Sequence, residues 1–499
     1  MKKYSLTKTL ILSGIQCPKK LWFELDPEQR IKTEDKALFW LGNRFNDVVR
    51  KHYGEGLDLS NIKDNELALV KTKEAIETDD IQVIYEGAFV YDDILIRADV
   101  LIRKQHQWIM LEAKASTNLK EINISDVAIQ NHVVKHNGLE LVQNKLIYIN
   151  KEFVYQGDHN YADLIVEQDI TEEVINKDKE ILELIQRCKA LINRPCPAIE
   201  VGAHCKTPYP CQYFDRICSP AKQDIQNVTY KILPYGNKVE DYCKKNNIEL
   251  LKDVPKEVLL QNSRKDYADN FHYIIQQAHL NNTAWIHPDL KDNVKTWVWP
   301  YYFMDFETVQ QGVPKIKNTK PFEQLPFQWS VHKWSQPDQA LQEFSFLDFE
   351  HQDIELHFLQ KLVETLGDKG TIFVHNHPFE KGVLNRLKEK PNLSSFATPV
   401  ANIIDRIVDT LALTRKNFYA PEMMGGYSLK KIIKAIPTNI TYESDDKNSV
   451  SDGGGAQLAW FKCTDPKTKP EEKEIQQREL IKYCSKDTEA MYDLIKFWM

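Results

Sequence analysis

Along this chain of 499 residues the spacing of apolar positions changes several times, and each change predicts an element. Ala37 to Tyr53 recurs at helical spacing. Residues 82–113 alternate as strands do, and 126–150 pass from a helical into a strand-like pattern before the cysteine-rich stretch 205–218. Together these predict one α/β domain over 1–220. From 221 to 297 the sequence is rich in Lys, Asn and Asp with broken apolar spacing, as in a small helical connector. The run from Val298 to Met304 then announces a buried strand and a second domain, 298–499. There Phe327–Trp334, Gln342–Phe349 and 371–375 read as strands, and 352–366, 378–388, 404–417 and 474–498 as helices. The stretch 442–473, charged and holding Gly453, Gly454 and Gly455, reads as a loop or mobile flap.

Composition adds bounds. The chain is 42% hydrophobic, enough for more than one core, yet no run approaches the roughly 20 apolar residues of a membrane span, and the first residues lack the basic segment followed by a small-residue cleavage site that a secretory leader carries. A cytoplasmic protein with no membrane partner is the expectation. The net charge of −7 argues against a general basic coat but leaves local nucleic-acid grooves open, and clustered metal-binding carboxylates would themselves shift the balance to the acid side. Nine cysteines in such a chain point to free, catalytic or metal-bound thiols rather than disulfides.

The chemistry of the second domain is carried by separated acids. Asp305 and Glu307 end the strand 301–307, where alternation puts both carboxylates on one face and Phe306 on the other. Glu380 follows the apolar strand Thr371–Val374 and opens a helix, which brings it back towards the strand ends. Tyr483 and Asp487 stand i, i+4 on the last helix, one above the other. Oxygen-only donors of this kind suit Mg2+ or Mn2+, and a pair of such ions serves phosphodiester hydrolysis. Asp409, before Thr410, is a helix-capping acid rather than a ligand, and His375 and His377 are structural or substrate-touching rather than catalytic.

In order and type these motifs resemble the tyrosine-bearing DEDD branch of the DnaQ-like, RNase H-fold proofreading exonucleases. The resemblance extends to Asp409–Arg415 and Tyr427–Lys431. It implies a mixed sheet flanked by helices, 3′-to-5′ removal of nucleotides with two metal ions on Asp305, Glu307, Glu380 and Asp487, and Tyr483 holding the attacking water. Two positions depart from the pattern: Glu380 stands where that superfamily carries Asp, and position 482 is Lys where the histidine branch carries its base.

In the first domain Asp99 ends the strand Ile94–Asp99, and Glu112 and Lys114 close the strand Trp108–Glu112, so two acids and an ammonium meet at adjacent strand ends. The acids suit a divalent metal and the ammonium suits water or phosphate. With Asp47 upstream on a helix and Gln130 downstream, the layout resembles the PD-(D/E)XK nucleases, RecB-like and CRISPR-adaptation exonucleases above all. Asp47 stands where that family carries Glu or His, and Val134 where it carries Tyr. Cys205, Cys211 and Cys218, separated by five and six residues, join with Cys17 far upstream to make four thiolates, enough for a 4Fe-4S cluster or for Zn2+. The RecB-like resemblance favours 4Fe-4S, stapling the start of that domain to its end. Cys188, Cys196, Cys243, Cys463 and Cys484 have no partner at comparable spacing. Lys206, Tyr209, Tyr213, Phe214 and Arg216 mix charge and rings in a way that suits a single strand. The pairing of the two domains resembles a bacterial family of uncharacterised proteins. The expected function is a metal-dependent nuclease on nucleic acid, DNA more than RNA; the other reading is a protein that binds nucleic-acid ends without cutting.

Overall fold

The alternating segments of the first 170 residues build one sheet. Its strands are β1 (Leu6–Thr7), β2 (Leu57–Asp58), β3 (Val83–Tyr91), β4 (Ile94–Lys104), β5 (Gln107–Lys114), β6 (Leu141–Ile149) and β7 (Ile165–Asp169). They lie in the order β2-β3-β4-β5-β6-β7, with β1 parallel to the start of β4. Antiparallel hairpins join β3, β4 and β5, whereas β5 and β6 are parallel, so the chain crosses between them through the helix Glu121–Lys135. Both faces are apolar because both are covered. Ile84, Ile96, Trp108 and Met110 pack with that helix and with Asp178–Ala190, while Val83, Tyr85, Val100, Leu111 and Ile147 meet Phe45, Val48 and Val49 of the helix Lys36–Tyr53. Each such side chain, fully buried, contributes about 1.5–3 kcal/mol.

The computed structural model describes residues 5–31, 36–219, 227–349, 351–442 and 449–499, and it divides into Met1–Ala221 with Gln311–Glu323, and Lys222–Gln310 with Gln324–Met499. The expected boundary at 220–221 lies outside the described residues. Both units are mixed α/β.

The second unit adds β8 (Trp285–Ile286), β9 (Tyr301–Gln310), β10 (Gln324–Trp334), β11 (Gln342–Leu347), β12 (Thr371–Val374), β13 (Ile407–Asp409) and β14 (Phe418–Tyr419). Five of them form a mixed sheet ordered β11-β10-β9-β12-β13, antiparallel across β11-β10-β9 and parallel across β9-β12-β13. Strand alternation divides β9. Tyr302, Met304 and Phe306 face the helix Ile354–Leu366, and Tyr301 and Phe303 face Met491, Leu494 and Trp498 of the long helix Pro470–Trp498. Residues of the stretch read as a connector, among them Val228, Phe271 and Ile275, share the second of these cores.

Two elements differ from the sequence reading. The helix expected over 404–417 is broken by β13, because Ile407 and Val408 suit a pleated edge beside β12 and Arg406 ends the preceding helix with its guanidinium on the carbonyls of Gly367 and Lys369. Part of the expected flap, Gly453–Thr464, is a helix: the Asp452 side chain accepts from Gly455 N at 2.8 Å, and Ala456, Ala459, Trp460 and Phe461 are buried. Residues 443–448 of that stretch lie outside the described residues. Among the described residues no helix is long and apolar enough to cross a membrane.

Candidate functional site

On β9, Asp305 and Glu307 share one sheet face, as alternation requires, and that face lies under the helix Pro470–Trp498. Hydrogen bonds from β10 fix the helix there: Gln328 Nε2 donates to Leu480 O at 2.7 Å, and Thr488 Oγ1 lies 2.9 Å from Ser330 Oγ and 2.7 Å from His332 Nδ1. Tyr483 and Asp487 are thereby held towards the strand. Glu380 comes from the first turn of the helix Pro378–Glu389, which follows β12.

These four acids interact. Burial, then Asp487, pushes the Asp305 carboxyl well above its ordinary range; burial, then Asp305, Asp487, Asp452 and Glu380, does the same to Glu307. Burial and then Asp305 raise Glu380, and burial raises Asp487 against a hydrogen bond from Tyr442 and the charges of Lys430 and Lys486. Glu380 is 2% exposed, and its Oε2 has no hydrogen-bond partner among the described residues. Such a carboxylate costs several kcal/mol unless a cation meets it. The Cys484 thiol lies 3.6 Å from Asp305 Oδ2, so this cysteine lines the cluster as well as packing beneath it.

Tyr442 and Lys430 are additions that spacing did not reveal. The Tyr442 hydroxyl donates to Asp487 Oδ1, and Lys430 Nζ lies 5.2 Å from the Tyr442 ring centre and 5.7 Å from that of Tyr483. Tyr483 is raised by burial and by Asp487, Glu307 and Asp305, so its hydroxyl keeps its proton. Asp409 caps the helix Thr410–Asn417, accepting from Leu411 N at 2.9 Å, and also accepts from Asn376 N at 3.0 Å and faces His377 Nδ1 at 2.7 Å.

In the first unit, Glu112 and Lys114 of β5 point to the side of the helix Glu121–Lys135. Lys114 Nζ lies 2.7 Å from Glu112 Oε1 and 2.6 Å from Asp126 Oδ2, and Gln130 Nε2 donates to Glu112 Oε2 at 2.8 Å and Asp126 Oδ1 at 3.0 Å. Lys8 Nζ adds a second ammonium, 2.8 Å from Glu112 Oε1 and 3.5 Å from Asp126 Oδ1. Burial opposes the Glu112 carboxylate, but Lys114 and Lys8 outweigh it and hold the group below the usual range. Asp99 Oδ2 accepts from Ala113 N at 2.8 Å, and burial, then Glu112, pushes its carboxyl up to about 8.

Asp47 stands apart from this group. Phe45, Val48 and Val49 turn their side of the helix to the sheet, so the Asp47 side chain is 70% exposed and pairs with Arg50 at 3.1 Å. The same helix instead offers Asn46 and Arg50 to a small cavity lined by Glu86, Asp99 and Ala113. Glu86, at φ 58 in mid-strand, is in a conformation costly for a residue with a Cβ. Val134 is fully buried core. Of the newly found groups, only Asp126 had a readable signal, four residues before Gln130.

Cys17, Cys205, Cys211 and Cys218 line one cavity together with Phe23, His204 and Phe214. Gln16 holds the two chain segments together, its Nε2 donating to the carbonyls of His204 at 3.0 Å and Tyr209 at 2.6 Å. Cys188, Cys243, Cys463 and Cys484 are buried and Cys196 is exposed. Tyr213 is buried and stacks on Phe23 at 4.9 Å, so it belongs to the core rather than to a strand-binding surface; Tyr209 is 49% exposed beneath Lys120.

The chain is similar to DUF2779, a domain of unknown function, over residues 302–428. That span includes Asp305, Glu307, Glu380 and Asp409 and ends before Tyr483 and Asp487. It is also similar to the uncharacterized protein MG366 of Mycoplasma genitalium, 25% identical over 209 residues, which is 39% of this chain and 31% of that protein. The similarity thus spans about a third of that relative, and neither match carries the name of an activity.

Proposed function

We propose that this chain is a metal-dependent nuclease, with a DnaQ-like 3′-to-5′ exonuclease site in its C-terminal region and a RecB-like PD-(D/E)XK site in its N-terminal one. One observation carries the reading: Asp305, Glu307, Glu380 and Asp487, from three elements far apart in sequence, converge where each disfavours the charge of the next. Proteins rarely crowd buried carboxylates without a cation to neutralise them, and an all-oxygen set fits Mg2+ or Mn2+. These four residues would hold the ions, which supply charge neutralisation on the phosphodiester and an acidified water. Tyr483, protonated, would orient that water from the helix, and Lys430 would offer a positive charge to the scissile phosphate.

The four thiols line one cavity and suit a 4Fe-4S cluster, which the RecB-like layout favours over the Zn2+ that four thiolates would also hold. A bound cluster would staple the segment at Cys17 to that at 205–218.

The test is digestion of 3′-labelled single-stranded and frayed DNA, with RNA beside it, in Mg2+ and in Mn2+. Asp305→Ala or Asp487→Ala should abolish nucleotide release while leaving strand binding. Full activity in the double variant would move the chemistry to Asp99, Glu112 and Lys114. A second reading, binding of nucleic-acid ends without cleavage, is favoured for the N-terminal site alone, because Lys8 and Lys114 already balance Glu112 and Asp126.

A further inference from the structure

Between β11 and the helix Ile354–Leu366 the chain turns back on itself and brings together three side chains unrelated to either acidic site. Asp348 is 8% exposed and is fixed at its backbone, its N–H donating to Phe327 O at 3.0 Å. His351 Nδ1 lies 2.9 Å from Asp348 Oδ2, and His357 Nδ1 lies 3.7 Å from the same oxygen. The two imidazole rings meet edge to face, their centres 4.9 Å apart at 81°. We propose that Asp348, His351 and His357 form a binding site for one transition-metal ion of the zinc type.

Geometry and donor chemistry agree. An ion bound at about 2.0–2.1 Å by nitrogen and oxygen in a tetrahedral shell sets neighbouring donors about 3.3 Å apart. The separations of 2.9 and 3.7 Å bracket that value, and the ligand atoms of all three residues lie within 4.8 Å of one another. Two imidazoles and one carboxylate select a borderline cation over Mg2+, which demands oxygen. The third ligand is anchored as firmly as the first. His357 rides on a helix whose Ile354, Phe358 and Leu359 are fully buried and whose Glu355 pairs with Arg386 at 3.0 Å and Lys390 at 2.6 Å. The imidazole side chains are 63% and 40% exposed, which leaves an entry path and a fourth position for solvent. A bound ion would tie the end of the edge strand β11 to this helix, a structural role distinct from hydrolysis.

The experiment is a zinc titration of the chelator-treated full chain against a competing colorimetric chelator, with Mg2+ in excess to occupy oxygen sites. The His351→Ala/His357→Ala variant should bind one equivalent fewer per chain, and Asp348→Asn should weaken that same equivalent at least 10-fold. Zinc should also raise the thermal midpoint of the wild type by more than that of the double variant, with unchanged far-UV circular dichroism in both. Equal stoichiometry and affinity in wild type and double variant would overturn the site, as would a wild type whose zinc is all released by mutating the four cysteines. Mg2+-dependent nuclease activity should be unaffected by the double substitution, so failure of the nuclease reading and failure of this site are separately visible.

Discussion

Acidification should weaken the second unit through His375, the residue after β12. Its Nε2 lies 3.0 Å from the Tyr427 carbonyl and its Nδ1 2.9 Å from Thr410 Oγ1. A carbonyl only accepts, so the ring carries a proton on Nε2, while the one hydrogen of the Thr410 hydroxyl is shared between Nδ1 and the Val374 carbonyl, each 2.9 Å away. Burial pushes the pKa from 6.5 down to about 4, against the opposing pull of Asp409 and the Tyr427 bond. For a base whose folded pKa is depressed, the neutral form is the one the fold favours. Its contribution is complete above about 6.5 and is lost as the pH falls towards 4. At 1.36 kcal/mol per pH unit the whole effect is about 3 kcal/mol, and about 2 kcal/mol of it disappears between pH 7 and pH 5, where the unfolded ring protonates and the folded one stays mostly neutral. Gln at this position keeps a donor and an acceptor but does not titrate. Urea unfolding of wild type and His375→Gln at both pH values should show the wild type losing about 2 kcal/mol more than the variant. The comparison cancels other buried histidines, such as His272 and His332, whose pKa values burial also lowers. Losses equal to within about 0.5 kcal/mol would refute the reasoning.

Three further outcomes are expected. Because Asp305, Glu307 and Glu380 are raised, the metal-free protein loses stability as pH rises above the ordinary carboxylate range; Glu307→Gln should therefore raise its melting temperature at pH 7.5 and abolish the rise that Mn2+ gives the wild type, both read by calorimetry. Lys8→Met, which leaves Glu112 and Asp126 to share Lys114, should cost about 2–4 kcal/mol in denaturant unfolding, whereas an unchanged midpoint would mean that Lys114 alone suffices. At Gly425, with φ +73, an added Cβ would sit 1.8 Å from Ile232 O, so Gly425→Ala should cost more than about 3 kcal/mol and reduce soluble yield sharply.

What was legible in the sequence followed periodicity and chain order. Strand alternation, which needs no tertiary knowledge, puts Asp305 and Glu307 on one face, and its place before Thr410 marks Asp409 as a cap. Long-range partners left no trace of that kind. Lys8 reaches Glu112 across 104 residues and Tyr442 reaches Asp487 across 45, and no local pattern marks either. The same limit explains Asp47: apolar spacing predicts its helix, but which side faces the sheet depends on Phe45, Val48 and Val49 finding Tyr85 and Leu111. β13 is not legible, because three residues between two helices give no period to read.

The helix Gly453–Thr464 begins on three glycines, each about 1 kcal/mol less favourable in a helix than alanine. Its order comes from the far end, where Trp460 and Phe461 are sunk in the core, and from the Asp452 cap. The first turn therefore unwinds at a cost well below that of the unit as a whole, and its amides should exchange with solvent faster than those of 459–463. Since Asp452 adds to the negative field on Glu307, neutralising that carboxylate removes a repulsion at this turn. Exchange rates at 454–456 then become a reporter of the charge held on Glu307, at least 147 residues upstream in sequence.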